Sequence, residues 1–351
     1  MAAKRTLKDV KTNNTAQVLE CILNHDNMSR IEIAEKCGLS PSTVTQAVTL
    51  LLEEKLVREV CAGESTGGRR PILLQMNPDY GCVITFEIKR SGVDAQIFDL
   101  CSGLLGTETI ASKQLTGNRL LDGITRFVDA IRSGEENYPK KVVGIGLLCQ
   151  DDIPEYDLMT EFSTSLSSDL IRLDTALMTR CGVPVKKELI NRYSLDYYIK
   201  LADSKCANYA YINVGERVTA SFVINKTPIR NVNDSIFDIS SAVLSGNYAG
   251  GMAMTGAAPT AAQEVQLRNL SPDELAEKLA KVVGSALLFF PVENVFIGGR
   301  VEGLEQIVEK VSGHFQLTPV IRQAKYLGAH VNEVFARQVL AENCRTLIPA
   351  H

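Results

Sequence analysis

The stretch Ser29–Pro78, SRIEIAEKCGLSPSTVTQAVTLLLEEKLVREVCAGESTGGRRPILLQMNP, decides how the amino-terminal part of the chain folds. Ser29 with Glu32 three residues on forms a capping box, in which each satisfies an N–H group that the first helical turn leaves unpaired. The helix it starts has Ile31, Ala34 and Cys37 as its expected buried positions. Gly38 ends it, because glycine takes the left-handed turn without steric cost. A second helix opens with Ser40 as N-cap and Pro41 at the first helical position. Two helices joined by a short glycine-containing turn make a helix-turn-helix.

The second helix has two faces of opposite character. Val44, Ala47, Val48 and Leu51 recur at helical spacing and are expected to pack inward. Ser42, Thr45, Gln46 and Thr49 share the other side, with Thr43 at its edge, and none carries a charge. Solvated helix faces are commonly rich in Lys and Glu; short hydroxyls and one amide suit close approach to phosphates and base edges, and glutamine can pair bidentately with adenine. Next, LVREV and PILLQM alternate as two strands joined by CAGESTGGRR. Gly63, Gly67 and Gly68 make that connection pliable, and Arg69 and Arg70 place two cations where a wing could enter a narrow minor groove. The partner these residues point to is double-stranded DNA.

Charge qualifies that reading. Residues 1–75 hold ten Lys/Arg against nine Asp/Glu, a net +1, so the remainder carries −5 of the chain's −4. The positives are nonetheless placed usefully: Lys4, Arg5, Lys8 and Lys11 precede the first helix of the pair, and Arg69 and Arg70 sit in the wing. Few cations per head favour a dimer, which doubles the phosphate contacts.

At 351 residues the chain exceeds one typical domain. With 45% hydrophobic and 22% charged residues it has an ordinary soluble composition. Its longest apolar run, ALLFFPV, is too short for a bilayer, and no signal peptide is evident, so neither membrane nor export is expected. Nine scattered cysteines without a C-x-x-C pair suggest neither a disulfide framework nor zinc. The expected location is the cytoplasm, with most cysteines as small buried residues.

Beyond residue 78, GCVITFEI, GVDAQIFDL and LLGTETI read as a three-stranded meander. Helices are expected near Arg119–Ser133, Asp169–Arg180 and Tyr193–Ala202, and strands at VVGIGLL, VPVKKEL, YAYINV and TASFVIN. SPDELAEKLAKVVGSALLFF is a capped helix leading into NVFIGG, and the chain closes with more helix. This alternation is α/β in two lobes.

The order of winged helix, STGGRRPILLQMNPDYG, a meander ending in IFDLCSG, then GIG, GVPV and VFIGG resembles the ROK family, which groups sugar-responsive repressors with sugar kinases. The resemblance covers essentially the whole chain and is most specific at the wing and linker. It implies a two-lobed actin/hexokinase-like domain with a cleft, in dimers or tetramers.

Against the family's kinases the chain departs in several places. Lys89, Arg90 and Ser91 stand where kinases carry a Gly-Gly-Thr phosphate loop, and Ile190 where they carry the Asp that accepts the sugar hydroxyl proton. Glu216 replaces the threonine of a second phosphate loop, and Arg300 a third glycine after Gly298–Gly299. SGNYAGGMAMTGAAPTAAQE takes the place of the family's zinc-binding cysteines and has neither Cys nor His. No catalytic residue, cofactor or metal is therefore expected. Glu188, Asn191 and Glu264 are what remains near the old sugar site as contacts for a small-molecule effector, a sugar or another metabolite; the tyrosines Tyr193, Tyr197 and Tyr198 fit a pocket or ordinary helix packing equally.

The sequence thus predicts an α/β protein with an N-terminal winged helix-turn-helix followed by a two-lobed actin/hexokinase-like (ROK) domain. The domains are 1–78, the DNA-binding head with its wing, and 79–351, a degenerate ROK effector and dimerisation domain. The function expected is transcriptional repression. A non-catalytic interaction module with a vestigial sugar cleft is the alternative, and a sugar kinase is third.

Overall fold

A computed structural model describes residues 7–25, 27–61, 72–150, 153, 155–163, 168–190, 207–215, 217–225, 227–229, 237–245, 265–267, 269–290, 292–299, 301–315, 319–324 and 328–348. The chain divides into two compact units, Met1–Glu188 with Asn332–His351, and Leu189–Val331.

The first unit begins with α1 (Leu7–Asn24), β1 (Met28–Ser29), α2 (Arg30–Cys37), α3 (Pro41–Glu53), β2 (Val57–Cys61) and β3 (Ile72–Met76). The strands form a sheet of order β1-β3-β2, with β2 and β3 antiparallel from Val57↔Met76 to Cys61↔Ile72. Val18, Leu19, Ile22, Ile33, Val44, Val48, Leu51, Leu56 and Leu74 are buried in the core of this head. α1 corrects the sequence reading, which treats Lys8 and Lys11 as lying ahead of the first helix. Both belong to α1; Asn13, Asn14 and Thr15, poor helix formers, obscure it in sequence. A second correction concerns α2: Ile31 is 72% exposed, and Ile33 takes the core position with Ala34, while Cys37 is half-buried. In an eight-residue helix two apolar phases are open, and packing on α1 and α3 selects between them.

The rest of the first unit is built on β4 (Cys82–Lys89), β5 (Gly92–Asp99), β6 (Leu104–Ala111), α4 (Gly117–Ser133), β7 (Val142–Cys149), β8 (Met159–Ser163), β9 (Ser168–Arg172), α5 (Leu173–Cys181) and β10 (Val185–Leu189). The main sheet has order β10-β7-β4-β5-β6, the meander β4–β5–β6 being antiparallel and β4–β7 parallel. β7 is buried along its whole length, which is why VVGIGLL reads as an unbroken apolar run. The expected helix over Asp169–Arg180 is in fact a strand, β9, paired antiparallel with β8, and helix only from Leu173.

The second unit contains β11 (Tyr209–Val214), β12 (Val218–Ile224), β13 (Thr227–Ile229), β14 (Phe237–Asp238), α6 (Ser240–Ser245), α7 (Pro272–Leu287), β15 (Asn294–Gly299), α8 (Leu304–Gly313) and β16 (Val320–Gln323). Its sheet runs β13-β12-β11-β15-β16, with β14 on β12. α7 has the predicted capping box, Ser271 with Glu274, and Pro272 at its start. Gly299 has φ 130°, and a Cβ there would stand 1.9 Å from the Val214 carbonyl oxygen, so the strand end NVFIGG tolerates no side chain at that position. The expected helix at Tyr193–Ala202 lies outside the described residues.

The chain closes with α9 (Gly328–Glu342) and α10 (Cys344–Leu347). α9 explains the GIG of β7. A Cβ on Gly146 would meet Phe335 Cε1 at 2.6 Å, and one on Gly144 would meet Val339 Cγ1 at 2.8 Å. The glycines admit the helix. α10 packs on α1 of the head. The head is also held by the Cys101 thiol, which donates to the Met76 carbonyl at 3.1 Å, and by the Lys141 ammonium, 3.8 Å from the centroid of the Tyr80 ring.

Candidate nucleic-acid interface

α3 is set by its own first turn. The Ser40 hydroxyl accepts from the Thr43 N–H at 3.2 Å and lies 2.9 Å from Ser42 Oγ and 2.8 Å from Thr43 Oγ1. Val44, Ala47, Val48 and Leu51 are 0–4% exposed, as the spacing predicts. Ser42, Thr45, Gln46 and Thr49 are exposed, and Thr43 is half-buried. The predicted readout residues therefore share the outward part of one helix, with Thr43 at its edge.

Their hydrogen bonds divide them. Thr45 donates to the Pro41 carbonyl at 2.8 Å and Thr49 to the Thr45 carbonyl at 2.9 Å, bonds back to residue i−4 that occupy each hydroxyl hydrogen. Each keeps acceptor capacity and a methyl group. The Gln46 side chain makes no hydrogen bond among the described residues, so its amide, with two donor hydrogens and one acceptor, is uncommitted.

The elements beside α3 are fixed. Gly38 sits at φ 64° in the turn, and the Gln17 side-chain amide donates to the Cys37 carbonyl at 2.9 Å. Ser29 and Glu32 complete the capping box: the Ser29 N–H donates to Glu32 Oε2 at 2.8 Å. That bond, with a further one from the Ser29 hydroxyl, holds the Glu32 carboxyl below its ordinary range. Burial, and then the neighbouring Cys21 thiol, push the Cys37 thiol up to about 12. Arg30 pairs with Glu59 at 2.9 Å, and Arg58 reaches Gln75 Oε1 from Nε at 3.3 Å and Nη2 at 3.1 Å. Two of the head's arginines thus brace the ribbon. Arg69, Arg70, Lys4 and Arg5 lie outside the described residues, as do the wing glycines.

Of the expected effector contacts, Glu188 is the penultimate residue of β10 and stands 3.7 Å from Lys186, which also pairs with Glu342. Asn191, Glu264, Glu216, Arg300 and the three tyrosines lie outside the described residues. Lys89 pairs with Asp94 of its own hairpin at 2.5 Å, and the Arg90 N–H donates to Gln150 Oε1 at 3.1 Å. The sequence reading did not anticipate a cavity of about 740 Å³ in the second unit, bordered by Val214, Val218, Leu267, Leu275, Val301 and Gln306. These come from three separate stretches of sequence, so no local spacing marks it. Among the described residues no three His, Cys, Asp or Glu side chains gather as a metal site, and no helix is long and apolar enough to cross a membrane.

Comparison with known proteins bears on the same elements. Residues 13–58 match a family of winged helix-turn-helix DNA-binding domains. The chain is 27% identical over 235 residues to the xylose repressor of Bacillus subtilis strain 168, a match spanning 64% of this chain and 58% of that protein. It is 34% identical over 125 residues to the DNA-binding transcriptional dual regulator NagC of Escherichia coli K12, covering 34% of this chain and 31% of that one. The chain thus spans about half or less of the length of these relatives. Among solved structures it resembles a ROK family transcriptional regulator, a homologue of the Escherichia coli MLC protein, with TM-score 0.60 at 14% identity, over 96% of this chain and 98% of that one. At that identity the likeness speaks for the fold: a winged helix-turn-helix followed by a ROK hexokinase-like α/β domain.

Proposed function

We propose that this chain is a DNA-binding transcriptional repressor of the ROK type, located in the cytoplasm and acting as a homodimer or tetramer. The observation that carries the reading is α3. Its exposed face holds Ser42, Thr45, Gln46 and Thr49 without a charge, above a buried face of Val44, Ala47, Val48 and Leu51, in a head of winged-helix order. Such a face enters a major groove, where Gln46 can read adenine and the threonine methyls can meet thymine. Thr43 and Ser42, at the start of the helix, are placed for phosphate. Arg69 and Arg70 supply the minor-groove contact of the wing.

The carboxy-terminal domain is not a kinase in this reading. Lys89 and Arg90 occupy a phosphate-loop position, with Lys89 neutralised by Asp94, and Ile190 cannot accept a proton. Its role is effector binding, oligomerisation or both, with Glu188, Asn191 and Glu264 as contacts for a sugar or another metabolite. An effector that binds one arrangement of two heads better than another shifts their spacing away from one helical turn, about 34 Å, and releases DNA.

Selection from a pool of random duplexes tests the proposal. Wild-type protein should enrich a two-fold symmetric sequence, and Gln46→Ala should lose preference at one base pair of each half-site while keeping the rest. Equal motifs from both proteins would remove Gln46 from the readout; no motif from either would remove the function.

A further inference from the structure

Three sulfur atoms from three elements of the head lie together. The Cys21 thiol, on α1, donates to Met28 Sδ, on β1, at 3.8 Å. The Cys37 thiol, at the end of α2, donates to the Gln17 carbonyl at 3.7 Å, one helical turn before Cys21. The Cys21 thiol neighbours the Cys37 thiol and helps to push it up. The Gln17 amide holds the Cys37 carbonyl at 2.9 Å, so the end of α2 is fixed against this turn of α1. Met28 is buried, and both cysteines are half-buried and so within reach of solvent.

We propose that Cys21, Cys37 and Met28 form a binding site for a soft monovalent metal ion, Cu(I) being the fitting one. Two thiolates and a thioether are a soft donor set, of the kind that selects Cu(I). Zinc takes four ligands in a structural site, and no fourth His, Cys, Asp or Glu joins these among the described residues. Three sulfurs each about 2.3 Å from one ion in a plane stand about 4 Å apart, close to the Cys21–Met28 separation of 3.8 Å. The step is a ligand exchange without oxidation. Each thiol gives its proton to solvent, its sulfur bonds the ion, the Met28 sulfur donates a lone pair, and the ion sheds its previous ligands. A bound ion would join α1, β1 and α2 immediately before Gly38, the turn that launches α3. The site goes beyond the repressor reading and stands without it. No spacing announces it in the sequence, because its ligands are 7 and 9 residues apart on elements of different type.

The test is anaerobic titration of the reduced full-length protein against a chromophoric Cu(I) chelator. Wild type should withdraw one more equivalent of Cu(I) than Cys21→Ser/Cys37→Ser, with a thiolate-to-copper absorption band that the double variant lacks. Met28→Leu, which keeps the apolar volume, should weaken that equivalent at least tenfold, while Cys101→Ser should leave it intact. Far-ultraviolet circular dichroism establishes that each variant is folded. Equal withdrawal by wild type and the double variant would overturn the proposal, as would an affinity indifferent to Met28→Leu.

Discussion

Gly146→Ala probes the packing that gives the first unit its GIG strand. The added methyl would lie 2.6 Å from Phe335 Cε1, 2.9 Å from Cδ1 and 3.3 Å from Thr85 Cγ2. Carbon atoms rest at about 3.5–4.0 Å, so the Phe335 ring must retreat by roughly 1 Å. Phe335 is fully buried, and α9 cannot move it without disturbing Val339 on Gly144. Overpacking of this kind costs about 1–3 kcal/mol. For a domain of this size each kcal/mol lowers the melting temperature by about 2–4 °C. Phe335→Leu alone should also destabilise, by loss of buried contacts. Combined with Gly146→Ala it should cost less than the sum, with a coupling of about 0.5–3 kcal/mol. Thermal melts of the four proteins by circular dichroism give the cycle. Strict additivity, or a Gly146→Ala protein that melts with wild type, would refute the account of why those glycines are there.

Other expectations concern the head. Ser40→Ala removes the N-cap of α3 and should cost about 1 kcal/mol, seen as a lower urea midpoint for the head. Leu51→Ala, at a fully buried position, should cost about 2–5 kcal/mol in the same assay. Because the Glu32 carboxyl is held below its ordinary range in the folded head, its contribution is present at neutral pH and is lost as pH falls through the lowered value. Glu32→Gln should therefore flatten the acid side of the stability profile while changing little of its shape above. Arg69→Ala/Arg70→Ala should reduce the slope of log affinity against log salt by about 2 per head, measured by fluorescence anisotropy on a selected duplex.

The start of α3 is legible in sequence because its signals are local: a serine cap, a proline at the first position and an apolar face repeating through Val44, Ala47, Val48 and Leu51 all agree. The capping boxes at Ser29 and Ser271 are legible for the same reason. α1 is not, since Asn13, Asn14 and Thr15 oppose helix locally and packing in the head overrides them. The phase of α2 is settled by its neighbours, which bury Ile33 and leave Ile31 in solvent. Asp169–Arg180 fails because a five-residue strand runs directly into a helix, and strand and helix periods blur over so short a span. Of the candidate site, the uncharged exposed face of α3 is a helical pattern and could be read directly. That Thr45 and Thr49 bond back to the helix while the Gln46 side chain makes no hydrogen bond among the described residues depends on side-chain geometry that spacing does not encode. The cavity of the second unit and the sulfur cluster join distant segments, and no motif marks either.

The central claim is that the head recognises operator DNA, and the most direct measurement is selection of genomic fragments by the purified protein at moderate salt. The Arg69→Ala/Arg70→Ala variant is run beside it. Wild-type protein should enrich a few palindromic sites with A·T-rich flanks, and the variant should enrich them less. No enrichment above the nonspecific background would contradict the claim.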